Sequence, residues 1–215
     1  MSKRIFITAT NTDIGKSYTT KRLLKEFSSL GYKVGVLKPI ETGVVDGNAP
    51  DGLMLLEEMK KFNPLLNSFT LEDIVPISYE LPAAPYIASN NTLLHLKKID
   101  KALYKLESVC DIVLIEGAGG LLVPIDEKFM MIDLISYFHA TALLVTHCSL
   151  GCINDTLLSL KCLESEGIKH FYAFNCRKED SDFSFVSQPY FLKTGKKVLK
   201  VDEDIDTLCE LLYNC

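Results

Sequence analysis

The chain has 215 residues, enough to bury one full hydrophobic core and short for two. Its 47% hydrophobic and 24% charged residues are ordinary for a globular protein, and a net charge of −5 with a pI near 5.4 argues against a nucleic-acid partner, which calls for a basic face. No apolar run approaches the ~20 residues of a membrane span, and MSKRIFITAT turns polar too soon for a signal peptide, so the expected setting is the cytoplasm, away from membranes.

In chain order, short apolar runs alternate with longer amphipathic segments. The first strand is predicted over Arg4–Thr8 and is followed by a helix over Lys16–Leu30, ending before Gly31. A second strand at Lys33–Leu37 precedes a helix at Asp51–Phe62. The Pro-rich segment Pro76–Pro85 (PISYELPAAP) is apolar and aromatic, which suits an ordered excursion over a site better than a linker. Then come a helix at Leu96–Glu107, a strand at Asp111–Ile115, a helix at Met131–Phe138 and a strand at Ala142–Thr146. The chain finishes with a helix at Ile153–Glu166, strands at His170–Asn175 and Lys197–Val201, and a helix at Asp204–Tyr213.

Several of these strands are continuous aliphatic runs, as strands buried on both faces are. The alternation therefore predicts one α/β domain over residues 1–215, doubly wound, with a mostly parallel sheet and helices on both faces. Seven cysteines, an odd number without CxxC spacing, fit reduced thiols better than a disulfide framework. Cys148 and Cys152 read as helix-packing residues rather than metal ligands, and none of the four histidines receives a role.

Ligands of open α/β sheets sit beyond the carboxyl ends of the strands, so the residues after each apolar run are the ones to inspect. After the first comes TATNTDIGKSYTT, which places Gly15-Lys16-Ser17 where a helix begins. A helix N-terminus offers free N–H groups and partial positive charge, Lys16 adds a full charge, and the Ser17 hydroxyl suits Mg²⁺. After the second strand stand Lys38, Glu41 and Thr42 in KPIETG. After the central strand stand Glu116 and the loop Gly117-Ala118-Gly119-Gly120, whose glycines permit close backbone approach to a ligand. SLGCIN follows the next strand, and Asn175 closes the one after. Asp51, following Pro50, reads on local grounds as a helix N-cap.

In this order, ATNTDIGKS, KPIETG, IEGAGG, SLGCIN and the Asn175 strand end resemble dethiobiotin synthetase, from residue 5 to about 175; the remaining residues match poorly. The resemblance implies a P-loop NTPase-like fold and an ATP- and Mg²⁺-dependent ring closure of 7,8-diaminopelargonic acid with CO₂. In that reaction one amine captures CO₂ as a carbamate, whose oxygen attacks the γ-phosphate. The second amine then closes the ring on the mixed anhydride and releases phosphate.

It further implies roles residue by residue. Lys16 and the backbone of Asp13, Ile14, Gly15, Ser17 and Tyr18 would hold the nucleotide, together with Glu116, Gly117, Ala118, Gly119 and, at the base, Asn175. Lys38, Lys16 and Thr12 would be catalytic, with Lys38 on the carbamate and the transferring phosphoryl oxygens. Thr42 would hold the substrate. Ser17, Asp51 and Glu116 would ligate Mg²⁺, which moves Asp51 from cap to ligand. Gly151 and Asn154 would reach the neighbouring subunit's substrate in a homodimer with shared sites.

Two departures are small: Ala9 stands for a usual glycine and Ser17 for a commoner threonine. A third is larger. The chain passes from Val201 into Asp202-Glu203-Asp204 with no proline after Pro189, so weak discrimination between ATP, GTP and CTP is expected. The alternative reading, a regulatory P-loop ATPase of the plasmid- and division-site-positioning type, needs a lysine where this chain has Asn11.

Overall fold

The computed structural model describes residues 2–90 and 94–215. Its main sheet has five parallel strands in the order β2-β5-β1-β6-β7: β1 Lys3–Ala9, β2 Val34–Leu37, β5 Ile112–Gly120, β6 Thr141–His147 and β7 His170–Asn175. Ile5, Phe6, Ile7, Val36, Leu114 and Leu144 are fully buried, so the apolar runs do pack on both faces. The chain leaves β1 to build β2 and β5 on one side, then crosses to β6 and β7 on the other. The strand order thus reverses at β1, and the crevice of a doubly wound sheet opens at that reversal.

Helices α1 (Lys16–Ser29), α2 (Pro50–Phe62), α5 (Leu96–Glu107), α6 (Met131–Tyr137), α7 (Cys152–Ser165) and α10 (Ile205–Tyr213) fall within a residue or two of the predicted spans. Their buried stripes follow helical spacing; in α5 they are Ile99, Ala102, Leu103 and Leu106. Fully burying each of the isoleucine and leucine side chains stabilises the fold by roughly 1.5–3 kcal/mol.

Four differences from the sequence reading have physical causes. The expected strand Lys197–Val201 reduces to a single parallel bridge between Phe174 and Lys200. The chain turns there, because the Asp204 carboxylate takes the Lys200 N–H at 2.8 Å. The Gly117–Gly120 stretch, expected as a loop, continues β5 and pairs Gly120 with Ala9 across a bulge. The KPIETG and PISYELPAAP segments hold a second, two-stranded parallel sheet, β3 (Ile40–Thr42) with β4 (Ile77–Tyr79). Three-residue strands are too short to show a period. Short helices at α3 (Leu71–Ile74), α4 (Pro85–Ala88), α8 (Phe183–Val186) and α9 (Gln188–Lys193) went unread for the same reason.

The fourth difference is chemical. Cys148 and Cys176 form a disulfide, contrary to the reduced thiols expected. They lie 28 positions apart in sequence, but β6 and β7 are parallel neighbours with His147 opposite Asn175. The next residue of each strand therefore arrives side by side, with Cα atoms 5.0 Å apart. Cys152 is buried in α7, as helix packing requires.

Candidate active site

The carboxyl ends of β1, β2 and β5 open into a cleft of ≈ 790 Å³. One wall is the loop from β1 to α1. Asp13 at φ 59 and Gly15 at φ 101 are both left-handed, and Gly15 is the residue that precedes α1. Gly15 is required twice over: its φ is one L side chains rarely adopt, and a Cβ there would lie 2.0 Å from the Asn175 side-chain nitrogen. Ala9 keeps a negative φ, as the missing glycine demanded. Lys16 is buried and donates to the Asn11 carbonyl at 3.3 Å. Burial lowers its pKa, against the raising effect of Glu116; the nearby charge of Lys38 lowers it further. Thr12, Asp13, Ser17 and Tyr18 also line this wall.

At the floor, Lys38 projects from the end of β2 and is buried. Its ammonium lies 2.7 Å from Glu116 Oε1 and 2.8 Å from Asp51 Oδ2. Burial alone would lower its pKa, but the charges and hydrogen bonds of Glu116 and Asp51 outweigh that and raise it, so it stays an ammonium throughout the ordinary pH range. Glu116 is wholly sealed from solvent and held from both sides. Ser17 Oγ donates to Oε1 at 2.8 Å, and Thr20 Oγ1 donates to Oε2 at 2.8 Å. Lys38 thus bridges Asp51 and Glu116, and Ser17 joins them through Glu116.

Asp51 is in the first turn of α2, and the residue preceding the helix is Ala49, so the local N-cap reading fails. The capping falls to Glu41, whose carboxylate accepts the N–H groups of Asp51 and Gly52, each at 2.9 Å. Burial raises the Glu41 pKa while Lys38 and the two N–H groups pull it down. The sequence reading noted Glu41 and gave it no role; its position three residues after Lys38 carried no signal of a cap for a helix nine residues on. Thr42, Pro82–Pro85, Gly117, Ala118 and Gly119 complete the cleft. The Pro-rich segment therefore does form a wall.

The remaining expected positions lie off this lining. Asn175 does not line the cleft; its side-chain N–H₂ donates to the Ile14 carbonyl at 2.8 Å, beneath the loop. Arg177, which sequence reasoning missed, does line the cleft and donates to the Asp13 carbonyl. Gly151 and Asn154 lie outside it: Gly151, at φ 103, precedes α7, and Asn154 is exposed and bonds Asp155. Each of the three tail carboxylates has a partner. Asp202 accepts from Tyr18 and pairs with Arg22, Glu203 pairs with Lys200, and Asp204 caps the Lys200 N–H. Among the described residues no helix is long and apolar enough to cross a membrane.

Oxygen donors of the Ser17, Asp51 and Glu116 kind suit Mg²⁺, a hard cation that takes few protein ligands and completes its shell with water and phosphate. The donor set fits the group on that ground, while the Lys38 ammonium already partners both carboxylates.

A family model described as an AAA domain matches residues 3–209, well past the point where the motif resemblance stopped. The chain is 45% identical over 187 residues to the ATP-dependent dethiobiotin synthetase BioD of Sulfurovum sp. strain NBC37-1, covering 87% of this chain and 89% of that one. It is 35% identical over 215 residues to the protein of the same name from Wolinella succinogenes, covering 99% of each. Among solved structures it resembles the MinD cell division protein of Aquifex aeolicus, with TM-score 0.52 and 16% identity over 97% of this chain and 86% of that one. A ParA family ATPase from Chlorobium tepidum gives TM-score 0.52 at 14% identity over 93% and 84%. At such identities the likeness is one of fold alone: an α/β P-loop architecture.

Proposed function

The chain belongs to the ATP-dependent dethiobiotin synthetase family and is an ATP-dependent ligase; from that premise we propose that the cleft carboxylates 7,8-diaminopelargonic acid with CO₂ and closes its urea ring. The observation that carries the reading is Lys38, an ammonium held between Glu116 and Asp51 in the cleft that the Gly15–Ser17 loop also lines.

The chemistry needs positioning and charge neutralisation more than a covalent enzyme intermediate. The loop amides from Asp13 to Tyr18 and the Lys16 ammonium take the phosphates. Thr12 and Thr42, both on the cleft lining, hold the diamine and the carbamate formed on one of its nitrogens. The carbamate oxygen attacks the γ-phosphorus, ADP leaves, and the second amine attacks the carbonyl of the resulting anhydride to expel phosphate. Lys38 stabilises the negative charge that spreads over the carbamate and phosphoryl oxygens during transfer. Gly117, Ala118 and Gly119 let the ligand approach the backbone closely. Ser17, Asp51 and Glu116 would hold Mg²⁺, which neutralises phosphate charge when bound.

Gly151 and Asn154, outside the cleft of their own chain, reach the neighbour's substrate in the homodimer that this reading entails. The regulatory-ATPase reading rests on fold likeness only.

Phosphate release from ATP tests the reading. It should require both diaminopelargonate and bicarbonate; release that ignores either compound overturns it. Mixing Lys38→Ala and Asn154→Ala chains should restore part of the lost activity if sites are shared, and no rescue would confine each site to one chain.

A further inference from the structure

We propose that His147 is a positioning residue for the diamine substrate: its ring holds the SLGCIN segment at 149–154 in shape through hydrogen bonds at both of its nitrogens. The inference rests on the substrate role given above to Gly151 and Asn154.

His147 closes β6, and one ring serves two partners. Its Nδ1 lies 2.6 Å from Ser149 Oγ, and its Nε2 lies 3.0 Å from Asp155 Oδ2. The partners assign the tautomer of the neutral ring. A carboxylate only accepts, so Nε2 carries the proton and donates to Asp155, which leaves Nδ1 to accept from the Ser149 hydroxyl. The ring therefore spans the segment from its first residue to Asp155, in the first turn of α7. The other Asp155 oxygen takes the Asn154 side-chain N–H at 3.1 Å. One line of hydrogen bonds thus runs from Ser149 through His147 and Asp155 to Asn154.

Little else in this chain shapes the segment. Leu150 is 88% exposed, and nothing lies within 4 Å of where a Cβ on Gly151 would stand. A segment without apolar packing keeps one conformation only through its polar contacts. Gly151 is also left-handed, at φ 103, a conformation its surroundings have to hold. The base of the segment, by contrast, is fixed without the ring. Cys148 is bonded to Cys176, Thr146 Oγ1 lies 2.7 Å from Thr156 Oγ1 in the buried contact of β6 with α7, and Cys152 is buried. Losing the ring should loosen the segment and leave the elements on either side folded. His147 does not line the cleft, so it acts through the residues it holds.

Steady-state phosphate release by the full chain, varying diaminopelargonate and ATP in turn, tests this. Wild type, His147→Ala, His147→Gln, Ser149→Ala and Asn154→Ala are compared, with a melting curve on each to show that it is folded. His147→Ala should raise KM for diaminopelargonate by about tenfold while kcat and KM for ATP stay near wild type. His147→Gln, which offers an N–H to Asp155 and a carbonyl to Ser149, should recover most of that loss. Ser149→Ala removes one of the two bonds and should show a smaller rise in the same constant, which keeps the test open if His147→Ala does not fold. Variants at both positions that match wild type overturn the inference, as does a rise in KM for ATP equal to that for the diamine. Gln behaving like Ala overturns the two-bond role. An unchanged diamine KM in Asn154→Ala overturns the substrate role of the segment and this inference with it. A raised diamine KM in Asn154→Ala beside unaffected His147 and Ser149 variants overturns the inference alone.

Discussion

The Lys38 ammonium and the Glu116 carboxylate face one another at 2.7 Å with almost no access to water, the first 4% and the second 0% exposed. Neither charge is tolerable there without the other, since an unpaired ion in such a place is disfavoured by several kcal/mol. The pair therefore ties the end of β2 to β5 and, through Asp51, to the start of α2.

Lys38→Ala should lower stability by about 3–5 kcal/mol, because it strands the Glu116 charge, and should cut turnover by at least about a hundredfold. The double variant Lys38→Met/Glu116→Gln removes both charges and should melt close to wild type while remaining inactive. Melting curves and phosphate release on the two variants separate the structural role from the chemical one. A double variant with restored turnover would sink the catalytic assignment.

Glu41→Ala should destabilise by about 1–3 kcal/mol, since two N–H groups at the start of α2 lose their acceptor. The pKa of Glu41 is raised in the fold, so the folded state binds the extra proton more tightly than the unfolded one. Its contribution is therefore present below the ordinary carboxylate range and is lost as pH rises through the raised value. Glu41→Gln should flatten that part of the stability-against-pH curve; an unchanged slope by denaturant titration removes Glu41 as its source.

Lys16 has a lowered pKa and Lys38 a raised one, so alkaline loss of nucleotide binding should report Lys16 alone. KM for ATP should climb at a pH below the ordinary lysine value of 10.5. Over the same window the ligand-free protein should become more stable, because the fold prefers neutral Lys16. Lys16→Arg, which stays charged, should move the limb of the KM profile upward; an unshifted limb assigns it to another group.

Reducing the Cys148–Cys176 bond with a dithiol, which takes up two electrons and two protons as the reagent is oxidised, should lower stability by about 2–4 kcal/mol. Cys148→Ser should reproduce the loss and be insensitive to the reagent. Equal melting temperatures with and without the dithiol would mean that the bond contributes nothing to the fold.

The sequence alone determined the order of the main elements and the strand ends where the chemistry gathers. Both are local properties. Aliphatic runs such as IFI and IVLI mark doubly buried strands, helical stripes such as that of α5 repeat within one segment, and GKS before a helix binds anions wherever the chain goes next. Lys16, Ser17, Lys38, Thr42, Glu116 and the glycines after it could be found that way.

Which of these residues touch was settled by the tertiary structure, because burial makes partners of groups distant in sequence. Glu116 takes its hydrogen bonds from Ser17, Thr20 and Lys38, on two other elements. Asp51 reads locally as a cap and becomes a partner of Lys38 only once β2 and α2 meet, and Glu41 fills the vacated capping role from β3. Cys148 meets Cys176 because β6 and β7 lie in parallel register, a fact no spacing of cysteines encodes. Packing likewise set the partner of Asn175 within the chain. A strand-end amide can face a ligand or a neighbouring loop, and the packing of that loop against β7 decided that it bonds the Ile14 carbonyl.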